Sequence, residues 1–400
     1  MKVSATLKSQ EIVKERKRKK LPVYNFGLGA NPLPISKEYV NELKKNSHHK
    51  NYVSASGIDE FQRVIQKNYS NENYKVGHIL TGNGLKELLF IVQMTFEGTI
   101  LHITPSWISY KEQITLLNKD ANLIEIETKI EHNFKIDLEK LEKTLSCMSS
   151  DVPKLILFNN PNNPTGTIHT PEEVEKLAKI LDKYNVIVFS DEIYANLAYV
   201  PTVSISTYLP HLTIRGSSIS KDLGCGGHRF GWITFPSELS WLFQRCSVIA
   251  SSIYSCTTIP IQYATANVLN NYELMNKICN DTKNVFSLII QEVCECIDSS
   301  KCKDKILYVY PQAAWYLFLN FDRYKSSLIK QGIHNGVELQ EFLLNKYGLV
   351  TVAGINFNVS GFHLRLSLVD ITIDDHTGLL LNHCKIKEGI QLLLEYFENL

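Results

Sequence analysis

The sequence lacks the long apolar stretches and the one-sided charge that would indicate a membrane or a nucleic acid as partner. Of its 400 residues 44% are hydrophobic, but no apolar run approaches the roughly 20 residues that a membrane-spanning helix requires. The formal net charge of +1 gives no electrostatic reason to expect nucleic acid or an acidic membrane surface. A chain of this length is ample for a large buried core and for two domains.

The cysteines do not form the pattern of a disulfide framework or of a zinc site. Nine cysteines, an odd number scattered over a long chain, predict reduced thiols and a cytoplasmic location. Cys294, Cys296 and Cys302 lie close in sequence, but their spacing is not a zinc pattern and no clustered histidines complete it, so we expect no metal site. The basic run KERKRKK at Lys14–Lys20 precedes no apolar region, so we interpret it as the end of a short helical arm and not as a secretory signal.

Apolar, β-rich segments alternate with amphipathic helical patterns over the middle of the chain. The predicted strands read HIL, TILHITP, NLIEIET, KLILFNN, VIVFSDE, LTIRGSS and RFGWITF, and helices such as PEEVEKLAKILDKY lie between some of them. This alternation predicts an α/β fold whose large domain has a mostly parallel seven-stranded sheet between helices.

The pattern changes after about residue 265, where long helical stretches are followed by shorter strand-like runs. Two of these runs are Ile306–Tyr310 and Ala314–Asn320, and together with a later helix they predict a smaller α+β domain. We expect the large, ligand-binding domain to comprise residues 46–285. The small domain, with an N-terminal arm, would comprise residues 1–45 and 286–400.

The stretch RGSSISKDLGCGGHRFGWITF carries the clearest chemical signal. Lys221 follows a turn of small hydroxyl residues, and glycines then lead to Arg229. Small residues allow a ligand to approach the backbone closely, and an arginine fork suits a phosphate. A partly desolvated lysine beside another cation can attack an aldehyde. The stretch is therefore compatible with a Schiff-base site for a phosphorylated aldehyde, or with a plain strand–loop–strand connection that carries a surface lysine.

Polar residues also follow the predicted strands, at the edge where ligands of open parallel sheets bind. NNPNNPTG comes after KLILFNN, and Asp191 comes after VIVFS with Tyr194 three residues later. Each feature alone is compatible with a turn or a helix cap. Their joint occurrence in this order is difficult to explain by structure alone.

In this order and at this spacing, NNPNNPTG, SDEIY, SSISK and GHRFGW resemble the pyridoxal-phosphate (PLP) aminotransferases of fold type I, the aspartate-aminotransferase-like class I/II group. The resemblance extends from Gly29 to Arg365. It implies the PLP transferase fold, PLP as cofactor, and transfer of an amino group from an L-amino acid to a 2-oxo acid by a ping-pong mechanism. It further implies a homodimer with shared active sites.

The resemblance assigns roles around the cofactor ring to five residues. Lys221 would form the Schiff base and act as general base and acid. Asp191 would keep the pyridine nitrogen protonated. Asn163 and Tyr194 would hydrogen-bond the phenolic oxygen of the ring, and Trp107 would stack on the ring, although a core tryptophan is the alternative.

The phosphate would be held by Ser218, by Arg229 and by the helix start at Gly84, Leu85 and Lys86. Family members often carry a small or hydroxyl-bearing residue where this chain has Leu85. Lys86 would compensate for this departure or would be a solvated helix residue.

Three further residues match positions that complete the site. Tyr52 would reach the phosphate of the neighbouring subunit's cofactor. Arg365 would bind the substrate α-carboxylate as a bidentate pair, with Gly29 and Asn163 beside it. A buried structural ion pair is the alternative for Arg365.

Two other functions remain open from the sequence. The first is another PLP reaction on the same scaffold, such as decarboxylation, elimination, a cyclising dehydration or oxidation by O₂. PQAAWY, where many relatives have glycine after the proline, leaves room for such a variant. The second is a non-catalytic sensor domain of a transcription regulator, which residues 1–24 are too short to supply with a winged helix-turn-helix.

Overall fold

The computed structural model describes residues 5–374 and 379–400, and a seven-stranded sheet forms its main layer. The strands of the described residues are β1 (Tyr24–Asn25), β2 (His78–Gly82), β3 (Thr99–Thr104), β4 (Leu123–Glu127), β5 (Lys154–Asn159), β6 (Val186–Asp191), β7 (Thr213–Ser218), β8 (Gly231–Phe235), β9 (Tyr316–Asn320), β10 (Leu349–Val350), β11 (Val352–Ala353), β12 (His363–Ser367), β13 (Thr372–Ile373) and β14 (Leu380–Asn382).

The helices of the described residues are α1 (Ala5–Arg18), α2 (Lys37–Asn46), α3 (Asp59–Tyr69), α4 (Leu85–Thr95), α5 (Ser109–Leu116), α6 (Leu138–Ser146), α7 (Pro171–Lys183), α8 (Ser240–Ile253), α9 (Ile259–Asn270), α10 (Tyr272–Ser299), α11 (Lys325–Lys330), α12 (Gly336–Tyr347) and α13 (Cys384–Glu398). Among them, none combines the length and the apolarity that crossing a bilayer would take.

The large sheet confirms the α/β prediction. Its strand order is β2-β8-β7-β6-β5-β3-β4. The neighbouring pairs from β7 to β4 are parallel, and β8 runs antiparallel to both β7 and β2. The reversal at β8 follows from the connection, because the segment between Ser218 and Gly231 contains no α-helix that could carry the chain back for a parallel pairing. The central strands β5 and β6 are buried along their whole length, which explains their continuous apolar sequence.

A smaller antiparallel sheet lies in the C-terminal part of the chain, with the order β11-β12-β9. Its apolar residues share a buried cluster with α10, α12 and α13, and β1 joins this part by pairing with β10. The small α+β unit is thus present as expected. Helix α2 packs against α9, and Tyr39 of α2 belongs to a cluster with Phe61 and Trp232. The domain boundaries at residues 45 and 285 stay a prediction.

One predicted strand is absent. Ile306–Tyr310 forms no regular strand, and only an isolated bridge joins Leu307 to Asn320. The two backbones exchange hydrogen bonds of 3.0 and 2.8 Å at this point. The Tyr308 phenol donates to Asp298 on α10 at 2.8 Å, so the segment is held by the helix and does not extend along the sheet.

Candidate active site

A cavity of about 1150 Å³ lies beyond the carboxyl ends of β5, β6 and β7, and residues of both sheets line it. Twelve residues that the sequence selected line this cavity: Gly29, Gly84, Leu85, Lys86, Trp107, Asn163, Asp191, Tyr194, Ser218, Lys221, Arg229 and Arg365. The thirteenth, Tyr52, lies on the surface with 87% of its side chain exposed. The twelve cavity residues come from seven separate segments, so the fold gathers them into one site.

Lys221 lies three residues beyond the end of β7, and its side chain enters the cavity. The amine Nζ donates a hydrogen bond of 2.5 Å to the carbonyl oxygen of Gly29. The amide of Asn31 donates to the carbonyl oxygen of Lys221 at 3.1 Å. Amine and backbone are therefore both fixed by the N-terminal segment, and a small ligand would find the amine already oriented.

Asp191 ends β6 and is buried. Its carboxylate accepts hydrogen bonds from the Tyr110 phenol at 2.7 Å and from the backbone N–H of Ile193 at 3.2 Å. Burial nevertheless raises the pKa of this carboxyl to about 6, because desolvation disfavours the charged form. A cationic ligand group beside it would restore the charge, which fits a protonated pyridine nitrogen.

Tyr110 is a site residue that the sequence reasoning missed. It lies in the first turn of α5, three residues after Trp107, and its ring contacts the Trp107 ring edge-to-face at 5.7 Å between centroids. The motif TPSWISY had already selected Trp107. The only signal for Tyr110 in the sequence is its place in the same motif, about one helical turn after Trp107.

Arg365 extends from β12 towards the turn after β5. Its Nη1 donates to the side-chain oxygen of Asn163 at 3.2 Å, and its Nη2 donates to the carbonyl oxygen of Gly27. The Nε atom is buried and has no hydrogen-bond partner among the described residues. A buried cation with a spare donor suits an incoming carboxylate, because leaving such a donor unpaired costs free energy.

The start of α4 forms a small cup with Arg229. Gly84 has a φ of 86°, and an added Cβ would lie 2.6 Å from Nη2 of Arg229. Arg229 itself has a φ of 54° and donates to the Asn83 carbonyl oxygen at 2.7 Å. The unpaired N–H groups of a helix start attract an anion, and Ser218 at the end of β7 also lines the cavity. This donor set fits a phosphate.

The structure explains why leucine is tolerated at position 85. The Leu85 side chain is buried against Gly216, where an added Cβ would lie 2.6 Å from Cδ1. Its side chain thus belongs to the core, while its backbone N–H remains at the helix start. Lys86 is not simply solvated, since its Nζ lies 4.9 Å from the centre of the Trp107 ring. Burial lowers the pKa of Lys86.

Comparison with known proteins identifies the family of the chain. The family model for aminotransferases of class I and II matches residues 22–377. The chain belongs to this family. The matching relatives are named aminotransferases, so the chain is a PLP-dependent transaminase, and the family assignment inferred from the four motifs is confirmed.

Relatives and solved structures cover nearly all of this aminotransferase. A probable aspartate/prephenate aminotransferase of Aquifex aeolicus is 28% identical over 92% of each chain. An aspartate aminotransferase of Sulfolobus acidocaldarius is 26% identical over 99% of this chain and 95% of its own. An aspartate aminotransferase double mutant of Thermus thermophilus superimposes with a TM-score of 0.84 at 20% identity, over 99% of this chain and 97% of its own. That likeness establishes the fold.

Proposed function

We propose that this aminotransferase binds PLP through Lys221 and moves the amino group of an L-amino acid to a 2-oxo acid in two half-reactions, by a ping-pong mechanism. The observation that carries the proposal is the convergence of three charged groups on one cavity. These are the amine of Lys221, the buried carboxylate of Asp191 and the guanidinium of Arg365. Family membership supports the same reaction.

When bound, PLP supplies an electron-accepting ring that makes the Cα proton of an amino acid acidic. Asp191 would hold the charge on the ring nitrogen, and the Tyr110 hydrogen bond would keep the carboxylate aimed at it. Asn163 and Tyr194 would hydrogen-bond the phenolic oxygen of the ring, and Trp107 would cover one face of it. The cup formed by Gly84, Leu85, Lys86, Ser218 and Arg229 would hold the phosphate.

The chain's own residues would orient the substrate and move one proton. Nζ of Lys221 would accept the proton from the substrate Cα as general base, and would then donate it again as general acid. Arg365 and Asn163, already in contact at 3.2 Å, would hold the α-carboxylate so that the Cα–H bond is directed towards that amine. Arg365 and Asn163 are buried, which keeps bulk water away from the proton transfer.

An acidic amino acid is the first donor to test. The relatives named above are aspartate aminotransferases or probable aspartate/prephenate aminotransferases. Three cationic side chains, Lys14, Lys17 and Lys385, line the cavity in addition to those assigned above. A second carboxylate on the substrate would have a partner among them. Glu112 of α5 also lines the cavity, and its negative charge would repel that carboxylate.

A homodimer would complete the site. The 87% exposure of Tyr52 places its phenol where a second subunit can be reached, and we propose that it contacts the phosphate in the partner's site.

The experiment has three parts. Purified protein incubated with PLP and borohydride should be labelled at Lys221, and the Lys221→Ala variant should remain unlabelled. A panel of amino acids with 2-oxoglutarate should then identify the donor, with aspartate tested against phenylalanine and alanine. Repeated turnover should require the 2-oxo acid. Label on another lysine, or product formation without an acceptor, would reject the transaminase assignment in favour of other PLP chemistry.

A further inference from the structure

Tyr316 is a buried phenol at the centre of the site to which none of the roles above gives a function. It begins β9, and 1% of its side chain is exposed. Its oxygen lies 2.8 Å from the phenol oxygen of Tyr194, and it donates a long hydrogen bond of 3.5 Å to the Gly29 carbonyl. The same carbonyl accepts the Lys221 amine at 2.5 Å. Tyr316 therefore lies between the groups proposed to hold the cofactor oxygen and to move the proton.

The position of the phenol is fixed on several sides. The backbone of Tyr316 pairs with Ser367 of β12, and the guanidinium carbon of Arg365 lies 4.9 Å from the centre of its ring. Gly29 faces the oxygen so closely that an added Cβ would lie 2.3 Å from it. A side chain enclosed in this way has one orientation, so its oxygen can orient the more flexible side chains that contact it.

The charged and titratable groups that face this phenol are Lys221, Arg365 and Tyr194, with Asp191 beyond Tyr194. Burial raises the pKa of Tyr316, but the charges of Lys221 and Arg365 and the hydrogen bonds with Tyr194 and Lys221 together lower that pKa below its usual value. Burial and the neighbouring Tyr316 raise the pKa of Tyr194. The two phenols share a hydrogen bond in which either oxygen can be the donor.

We propose that Tyr316 is a positioning residue for transamination, which acts through Tyr194 and Lys221. It holds the phenol of Tyr194 in place and keeps the proton on the amine of Lys221 in place. The proposal rests on the proposed function. In this arrangement the Tyr316 oxygen is hydrogen-bonded to Tyr194 and stabilises positive charge on the Lys221 nitrogen. Arg365 packs on the ring face and not on the oxygen, so its grip on the substrate is independent of that oxygen.

The test compares Tyr316→Phe with Tyr74→Phe in the PLP-loaded protein. Tyr74 is equally buried, and its phenol is 2.8 Å from the hydroxyl of Thr234, so both variants remove a buried, hydrogen-bonded phenol. Tyr316→Phe should lower kcat about 10-fold while the KM of the amino donor changes less than about twofold. The pH midpoint of the cofactor's visible absorbance should move down by about 0.5–1, because the variant removes a hydrogen-bond partner of the Lys221 side chain. Tyr74→Phe should leave kcat and the midpoint unchanged, and thermal scans should show both variants folded.

A double variant tests the route through Tyr194. Tyr194→Phe with Tyr316→Phe should lose less kcat than the product of the two single losses, because the part of the Tyr316 effect that runs through Tyr194 is already absent. An unshifted absorbance midpoint in Tyr316→Phe, or losses that multiply in the double variant, would overturn the role of Tyr316. A wild-type protein that binds PLP without transaminating would overturn the proposed function instead, so the two failures are distinguishable.

Discussion

The phenol of Tyr110 donates a hydrogen bond of 2.7 Å to the carboxylate of Asp191, and both side chains are buried. The bond lowers the pKa of Asp191, whereas burial raises it, and burial dominates. Tyr110 therefore orients a carboxylate whose charge is only partly stabilised in the protein without cofactor. The remaining stabilisation would come from a cation on the ligand.

Replacing Tyr110 by phenylalanine should weaken PLP binding. A hydrogen bond to a charged group is worth about 1.5–3 kcal/mol, so the Kd for PLP should rise about 10- to 100-fold. Fluorescence titration of the cofactor-free protein measures this, with Tyr74→Phe as control. An unchanged Kd would show that Asp191 is oriented without Tyr110.

Replacing Asp191 by asparagine should stabilise the cofactor-free protein while abolishing most activity. The pKa of Asp191 is raised from 3.8 to about 6 on folding, so ionisation costs the folded state stability as the pH rises through this window. The variant should exceed the wild type by about 1–3 kcal/mol in free energy of unfolding at pH 8, and by less at pH 5. Urea unfolding at both values measures it. A wild type that is the more stable of the two at pH 8 would contradict the burial argument.

Replacing Gly84 by alanine should impair phosphate binding. Gly84 and Gly332 both have positive φ, 86° and 77°, but a Cβ at Gly84 meets Arg229 whereas one at Gly332 has open space within 4 Å. A positive φ disfavours alanine at both positions, more so at Gly84 because its ψ of 161° lies in a region that essentially only glycine adopts, and the steric effect belongs to Gly84 alone. We expect the Kd for PLP to rise at least about 10-fold in Gly84→Ala, and to stay unchanged in Gly332→Ala. Equal Kd values would place the phosphate elsewhere.

Replacing Arg365 by lysine should raise the KM of the amino donor about 10- to 100-fold. Lysine keeps the charge but loses the planar fork and the spare Nε donor. Steady-state kinetics measures the change. The control is Arg323→Lys, because Arg323 is exposed and lies shortly after β9 of the small sheet. If KM stayed the same, the α-carboxylate would have to bind another cation of the cavity.

Replacing Tyr52 by phenylalanine should weaken PLP binding about 10-fold, but only if the protein is a dimer. Tyr272→Phe, with 77% exposure, is the matched surface control. Hybrid dimers of a Tyr52→Phe subunit and a Lys221→Ala subunit should regain one tight site, because the intact lysine then receives the intact tyrosine. Sedimentation as a monomer, or hybrids without a tight site, would remove Tyr52 from the phosphate.

The sequence by itself determined the α/β class, the seven strands of the large sheet and twelve of the cavity residues. Strand-end motifs such as NNPNNPTG and SDEIY combine local turn chemistry with a fixed place at the ligand edge of a parallel sheet, and the family resemblance that these motifs carry supplied the other residues, such as Trp107 and Arg365. Only the tertiary structure decided the roles of Tyr110, Tyr316 and Leu85. Their positions depend on which side chains of distant strands and helices meet, namely Asp191, Tyr194 and Gly216, and no local pattern in the chain specifies those contacts.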